Sequence, residues 1–305
     1  MAVRSAEALR ATAAVCRAVD LPVSHLDVIR RSTYVAVRIG ASPYLARVGR
    51  AAETYENHAR EIAIARALAA AGAPVAEPAP LPEPLLVDGD SAVGLWLWVD
   101  EVAGGQPTMA DLGSALRTVH DTGGRCDLAA LGLPEFTAPT RARDRLRRLG
   151  DRGGLDGATI DELAALVDVL RPPAHANGVH GLVHGDFRAA NVLATVAGPV
   201  VIDFDAASFG PLAWDLTLVA QQHRHFGLSS TEFETFVTAY GGVADWDGLD
   251  SLCRLRDLTS TVWALSTAAT IAPDFAAEAR RRLASVRDPD DRTRWTWDGL
   301  PSARR

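Results

Sequence analysis

The segment LVHGDFRAANVL, residues 182–193, sets a histidine, an aspartate and an asparagine inside a run that otherwise reads as buried. A few residues on, GPVVIDFDAASFG (198–210) places Asp203 and Asp205 directly behind Val200, Val201 and Ile202. Burying charged groups is costly unless something pairs with them. Few folds bring two such segments together and supply that partner, so this pair constrains the architecture more than any other feature. The first loop offers His184, Asp186 and Asn191; the second offers Asp203 and Asp205. An acidic residue at a strand end, facing another loop of oxygen ligands, suits a hard cation such as Mg²⁺, which takes its remaining ligands from water and substrate phosphates. A second carboxylate, Asp186, can accept a proton from an attacking hydroxyl. One aspartate on the nucleophile, with one aspartate and one asparagine on metal, is the division of labour that phosphoryl transfer needs.

The rest of the chain supplies a frame for these loops. Helical spacing runs over 5–19, two β-rich runs follow at 26–40 and 43–50, and AETYENHAREIAIARALAAAG (52–72) reads as a long helix closed by Gly72. A Pro-rich stretch (73–84) leads to strands between 85 and 102. After AGGQP (103–107) the pattern turns mainly helical, with apolar residues three and four apart in 109–123 and 158–171 and helices resuming after 210 to about 286. RARDRLRRLG (141–150) reads as a solvated helix face, and the charged tail reads as loose. The expected class is α+β: a smaller lobe over 1–101 and a larger, mainly helical lobe over 102–305.

Composition excludes several alternatives. A net charge of −7 argues against a nucleic-acid partner. No apolar run approaches the ~20 residues that span a bilayer, and the N-terminus lacks the apolar block of a signal peptide. Cys16, Cys126 and Cys253 have neither disulfide nor zinc spacing, so reduced thiols in a cytoplasmic protein are expected. All 31 basic residues are arginine; the chain contains no lysine.

His184-Gly185-Asp186 through Asn191, followed by Ile202-Asp203-Phe204-Asp205, resembles the aminoglycoside phosphotransferase and choline kinase-like superfamily, whose two-lobed fold is similar to that of the protein kinases. The resemblance covers about residues 20–285. It implies an ATP- and Mg²⁺-dependent kinase acting on a small-molecule hydroxyl, with GTP as an alternative donor. It makes Asp186 the catalytic base and Asn191 and Asp203 the magnesium ligands. Asp215, in Trp214-Asp215-Leu216, becomes a buried support for the catalytic loop. His184 is expected to brace that loop, and Asp205 stands between a second metal contact and a loop cap.

Kinases place a lysine on a small-lobe strand, paired with a helix glutamate. Here Arg47 of YLARVGR is the candidate, sharing a strand face with Leu45; the following helix offers Glu53, Glu56 and Glu61, and the resemblance favours Glu61 as the partner. Arginine keeps the charge and can fork onto phosphate oxygens. The segment GLWLWVDEVAGG (94–105), with Trp96 and Trp98, is expected to hold the base, and no G-x-G-x-x-G precedes it near 26–40. Five acidic residues without a basic one (Glu232, Glu234, Asp245, Asp247, Asp250) suggest a cationic acceptor such as an aminoglycoside, another amino sugar or an amino alcohol, if they border the cleft. The missing lysine leaves a second reading open: a nucleotide-binding protein that has lost catalysis. A third, a metal-dependent phosphoesterase, has only His223-Arg224-His225 in its favour.

Overall fold

Alternation of buried and cleft-facing side chains builds the N-terminal region of the computed structural model, which describes residues 4–31, 34–81, 85–172, 179–242, 248–288 and 290–297. Strands β1 (Leu26–Arg31), β2 (Val35–Ile39), β3 (Tyr44–Arg50), β4 (Leu85–Asp88) and β5 (Ser91–Leu97) form one antiparallel sheet in the order β1-β2-β3-β5-β4. The run expected over 26–40 is thus two paired strands. Successive side chains point to opposite faces. Val35, Val37, Ile39, Ala46, Val48, Val93 and Leu95 therefore share one face and pack on Ala8, Ala11, Val15 and Cys16 of α1 (Ser5–Ala18). The other face carries Leu45 and Trp96 and meets Ile62 and Ala65 of α2 (Ala51–Ala70). That approach needs Gly94, because a Cβ there would run into the His58 ring.

From residue 109 onward helices dominate: α3 (Met109–Gly123), α4 (Ala138–Asp151), α5 (Gly157–Leu170), α6 (Thr217–Gln221), α7 (Ser230–Tyr240), α8 (Leu249–Thr270) and α9 (Ala276–Ser285). Leu255, Leu258 and Val262 of α8 gather Leu146 and Leu149 of α4, Leu163 and Val167 of α5, and Phe275 into one core. The arginines of 141–150 lie on exposed or half-buried faces of α4, while Ala142, Leu146 and Leu149 of the same run are buried. Leu112, Leu116 and Val119 of α3 meet Phe236 and Tyr240 of α7 in a second core, which also holds Leu182, Val192 and Val201.

Four short strands cross this region. β6 (His180–Val183) pairs with β9 (Ser208–Pro211), and β7 (Val192–Thr195) pairs with β8 (Gly198–Val201). Apolarity predicts a single strand over 198–210; instead Asp203, at φ +74°, ends the extended run, and a 3₁₀ turn over Phe204–Ala206 separates β8 from β9. Backbone bonds tie the β7–β8 hairpin to the sheet region: Val201 N–H to Pro74 O (2.7 Å), Ala76 N–H to Val201 O (3.0 Å) and Val102 N–H to Ala194 O (2.8 Å).

The tail is packed, not loose, as far as Trp297. Trp295 is buried and stacks on His225 with ring centroids 4.1 Å apart, while Arg282 of α9 sits 5.0 Å from the Trp295 ring and 4.9 Å from that of Trp297. Burying the Trp295 ring outweighs the ordering of a few residues, and Trp297 packs on Phe226 while staying half-exposed. No described helix is long and apolar enough to cross a membrane.

Candidate active site

The loop after β6 is held from below by a single carboxylate. Asp215, fully buried, accepts from His184 N–H at 2.7 Å and Gly185 N–H at 2.8 Å, and contacts His120 Nε2 at 3.0 Å. Burial would raise its pKa, but His120 and the loop amides outweigh that and hold the carboxyl below its ordinary value. His120 is held in turn by the Tyr240 hydroxyl at 2.8 Å. Gly185 has φ +88°, and a Cβ there would collide with the Ala206 carbonyl, so only glycine fits this turn. His184 Nε2 donates to Ile202 O at 3.0 Å, which leaves Nδ1 to accept from Asp186 N–H at 3.3 Å. Nε2 thus ties this loop to the Asp203 loop, while Nδ1 binds within its own loop.

Asn191 donates from Nδ2 to Asp186 O (2.9 Å) and to Asp186 Oδ2 (3.2 Å). A second hand on Asp186 comes from Arg188, whose Nε lies 3.2 Å from Oδ2. Across the cleft, Arg47 of β3 reaches two acids with one fork: Nη1 pairs with Glu61 Oε1 of α2, and Nη2 with Asp203 Oδ1 at 3.0 Å. Glu61 Oε1 also accepts from Phe204 N–H at 3.1 Å, so α2 grips the Asp203 loop directly. The Arg47 guanidinium stacks 4.5 Å from the Tyr34 ring. Burial raises the pKa of Glu61 to about 7 against the pull of Arg47. Burial acts in the same direction on Asp203, but there Arg47 prevails and keeps the carboxyl below its ordinary value. Asp205 is pushed up to about 6, by burial and by the charge of Asp203.

Above this chain of charges opens a cleft of about 170 Å³ between the sheet and the β7–β8 hairpin. Tyr34, Ala36, Leu45, Ala76, Trp96, Leu193, Ile202 and Phe204 supply an apolar lining, Arg47 and Asp203 close one end, and Leu97, Trp98 and Val99 form the edge. Trp98 donates Nε1 to Asp100 at 2.7 Å, and Arg38 lies 4.4 Å over its ring. Leu45 and Trp98, both expected at the nucleotide site, thus do line one cavity with Arg47.

The sequence profile of the phosphotransferase enzyme family matches residues 30–252, a span that contains all of these groups. The chain belongs to this family. It is a small-molecule phosphotransferase with a kinase-like α+β fold. Comparison with curated proteins finds no match. Among solved structures, an amicoumacin kinase, hAmiN, aligns with a TM-score of 0.70 at 15% identity, covering 93% of this chain and 95% of the other. A choline/ethanolamine kinase family protein from Mesorhizobium loti aligns at 0.61 and 21% identity, over 87% of each chain. A macrolide 2′-phosphotransferase from Brachybacterium faecium aligns at 0.58 and 20%, over 93% and 99%. At these identities the likeness is one of fold.

The donor set of this phosphotransferase fits a magnesium ion. Asn191 is fully buried, yet its Oδ1 has no hydrogen-bond partner, a state that costs about 1–3 kcal/mol unless a cation or donor faces it. Asp203 supplies the charge. Among the described residues no group of three His, Cys, Asp or Glu forms a self-contained metal site. In particular, His223 contacts Leu228 O and His225 contacts Asp257, so the histidine pair offers no metal centre.

The acidic residues read as a lure for a cationic acceptor are not brought to Asp186 by any contact among the described residues. Glu232 is spent on the N-cap of α7 with Ser229, Glu234 and Asp250 are exposed, and Asp245 and Asp247 lie outside the described residues. Spacing gave no sign of His120, Tyr34 or Arg256, which reach the site from α3, the sheet and α8. Arg188, two places after Asp186, was within reach of inspection.

Proposed function

We propose that this phosphotransferase moves the terminal phosphoryl group of ATP onto a hydroxyl of a small molecule, with Mg²⁺ held by Asn191 and Asp203. The observation that carries this reading is the fork of Arg47 on both Glu61 and Asp203, at one end of a largely apolar cleft. Related folds have been solved with AMP-PNP, with GDP and with ADP, which supports a nucleoside triphosphate as donor. GTP remains a donor to test beside ATP.

In this scheme the acceptor oxygen bonds to phosphorus as the bridging bond to ADP breaks, and the hydroxyl proton passes to an Asp186 carboxylate oxygen. Asn191 orients that carboxylate through its Nδ2, while Asp215 holds the loop backbone. Arg47 binds phosphate oxygens from a position fixed by Glu61, so little reorganisation is needed on reaction. A bound magnesium ion would neutralise developing phosphate charge. The linker after Leu97 serves as the pivot between lobes of residues 1–101 and 102–305. A cytoplasmic location, where ATP is abundant, suits the reaction.

Asp186→Asn should lower ADP release by about 10²-fold or more while leaving AMP-PNP affinity unchanged. Full activity in that variant sinks the assignment of the base. The reading as an inactive nucleotide binder rests on the missing lysine alone, and Arg47 occupies that role in the ion pair with Glu61. AMP-PNP binding without any phosphorylated product across acceptors would favour it.

A further inference from the structure

Strand β1 carries an irregularity that decides where one arginine points. Val28 pairs with Val37 and Arg30 pairs with Ala36, so Ile29 is an extra residue in β1, a β-bulge. A regular register would set Arg30 opposite Val35, whose side chain packs on the α1 side of the sheet. The bulge sets it opposite Ala36 instead, and Ala36 lies opposite Arg47 of β3. Residues directly opposite one another in an antiparallel sheet share a face. Arg30, Ala36 and Arg47 therefore form one row across three strands, on the cleft face. The next residue obeys the alternation: Arg31 Nε donates to Ser5 Oγ of α1 at 2.8 Å, on the other face.

Arg30, Ala36 and Arg47 all line the cleft, together with Asp203. Neighbouring strands stand roughly 4.8 Å apart, which puts the two arginine backbones about 10 Å apart with the small Ala36 between them. Among the described residues that line the cleft, these two are the cations. Burial raises the pKa of Asp203, and Arg47, His184 and Arg30 work against it, so the charge of Arg30 reaches the Asp203 end. Arg47 has both terminal nitrogens engaged, Nη1 on Glu61 and Nη2 on Asp203. Arg30 is half-buried and makes no hydrogen bond or ion pair among the described residues, so its fork is uncommitted. Bulges recur beside active sites, where they re-aim a side chain at the expense of ladder pairing. A guanidinium fork matches phosphate oxygens two at a time.

We propose that Arg30, turned into the cleft by the bulge at Ile29, binds the phosphate chain of the nucleotide and shares it with Arg47. In protein kinases a glycine-rich loop covers the phosphates. No such motif occurs near β1 and β2 here, and Arg30 grips the same anion with a charge. The proposal rests on the phosphotransferase reading above. It differs from a solvated surface arginine in predicting that the phosphates, and not the base, feel its loss.

The test is calorimetric titration of AMP-PNP, and of adenosine, into wild type and variants, and it needs no acceptor. Arg30→Ala should weaken AMP-PNP binding by about tenfold or more and leave adenosine binding unchanged. Arg30→Gln, which keeps much of the side chain's reach without its charge, should lose as much in a protein that keeps its melting temperature. Arg30→Lys should recover part of the loss. Arg31→Ala removes the same charge one residue away on the other face, and should bind AMP-PNP as wild type does. Wild-type affinity for AMP-PNP in Arg30→Gln overturns the proposal. So does an equal loss in Arg31→Ala, or a loss that adenosine shares in full. Failure of the wild type to bind AMP-PNP would instead overturn the phosphotransferase reading beneath it.

Discussion

Arg47 does more than substitute one cation for another. A lysine ammonium is a compact point charge, whereas the guanidinium here spans Glu61 and Asp203 at once and lies 4.5 Å over the Tyr34 ring. Arg47→Lys should therefore lower kcat/KM for the nucleotide by about tenfold rather than restore a better enzyme; steady-state kinetics at varied ATP will show it. Arg47→Ala should cost roughly 1–3 kcal/mol in urea unfolding at neutral pH, because Glu61, already pushed up to about 7 by burial, loses its partner and is left protonated in the interior. A neighbouring residue couples stability to pH. His58 is fully buried, neither ring nitrogen has a partner, and burial together with Arg47 lowers its pKa from 6.5 to about 3. Between those two values the unfolded chain binds a proton that the folded chain refuses, so stability falls as pH drops from 6.5 towards 3. The whole effect is of order 5 kcal/mol, at 1.36 kcal/mol per pH unit. Melts of wild type and His58→Gln between pH 7 and pH 4 should show a shallower acid slope in the variant; equal slopes would refute the assignment.

The loop between β6 and β7 owes its shape to groups outside it. Asp215 takes two of its amides, Trp214 Nε1 and Arg256 take the Gly185 carbonyl, and Ala206 fills the space beside Gly185. Gly185→Ala meets both a left-handed φ and a backbone collision. It should cost about 1–3 kcal/mol of stability and depress kcat far more than AMP-PNP affinity, since Gly185 does not line the cleft proposed for the nucleotide. Comparing kcat with AMP-PNP affinity in that variant separates a local fault in the loop from collapse of the fold.

Across the chain, the C-terminal tail closes the helical region. Trp295 seals His225 and Arg282, and Trp295 N–H bonds back to His225 O at 2.9 Å. Trp295→Ala should cost about 3 kcal/mol or more, as large aromatic truncations do. At roughly 2–4 °C per kcal/mol for a chain of this size class, calorimetry should find the melting temperature lowered by about 6–12 °C. The substrate cleft itself, bounded by the sheet and the β7–β8 hairpin, should keep its affinity for AMP-PNP, because no tail residue lines it.

Much of this protein is legible before it folds. The sheet-helix-sheet order of the first hundred residues, the long helix stopped at Gly72 and the later helices follow from periodicity and turn residues, which act over a few positions. The motifs at Asp186, Asn191 and Asp203 are equally local, and strand alternation alone puts Leu45 and Arg47 on one face. The same reasoning failed at 198–210, where one left-handed residue, Asp203, splits an apolar run into two strands, and at the tail, whose charged residues hid two packing tryptophans. Contacts such as His120 with Asp215, 95 residues apart, or Arg141 with Asp205, 64 apart, have no signature in either segment. Periodicity tells each helix or strand which of its faces must be covered; which face covers which is settled only when the cores of α3–α7, α4–α8 and the sheet form together, and the arginine flank of Asp186 is set by that packing.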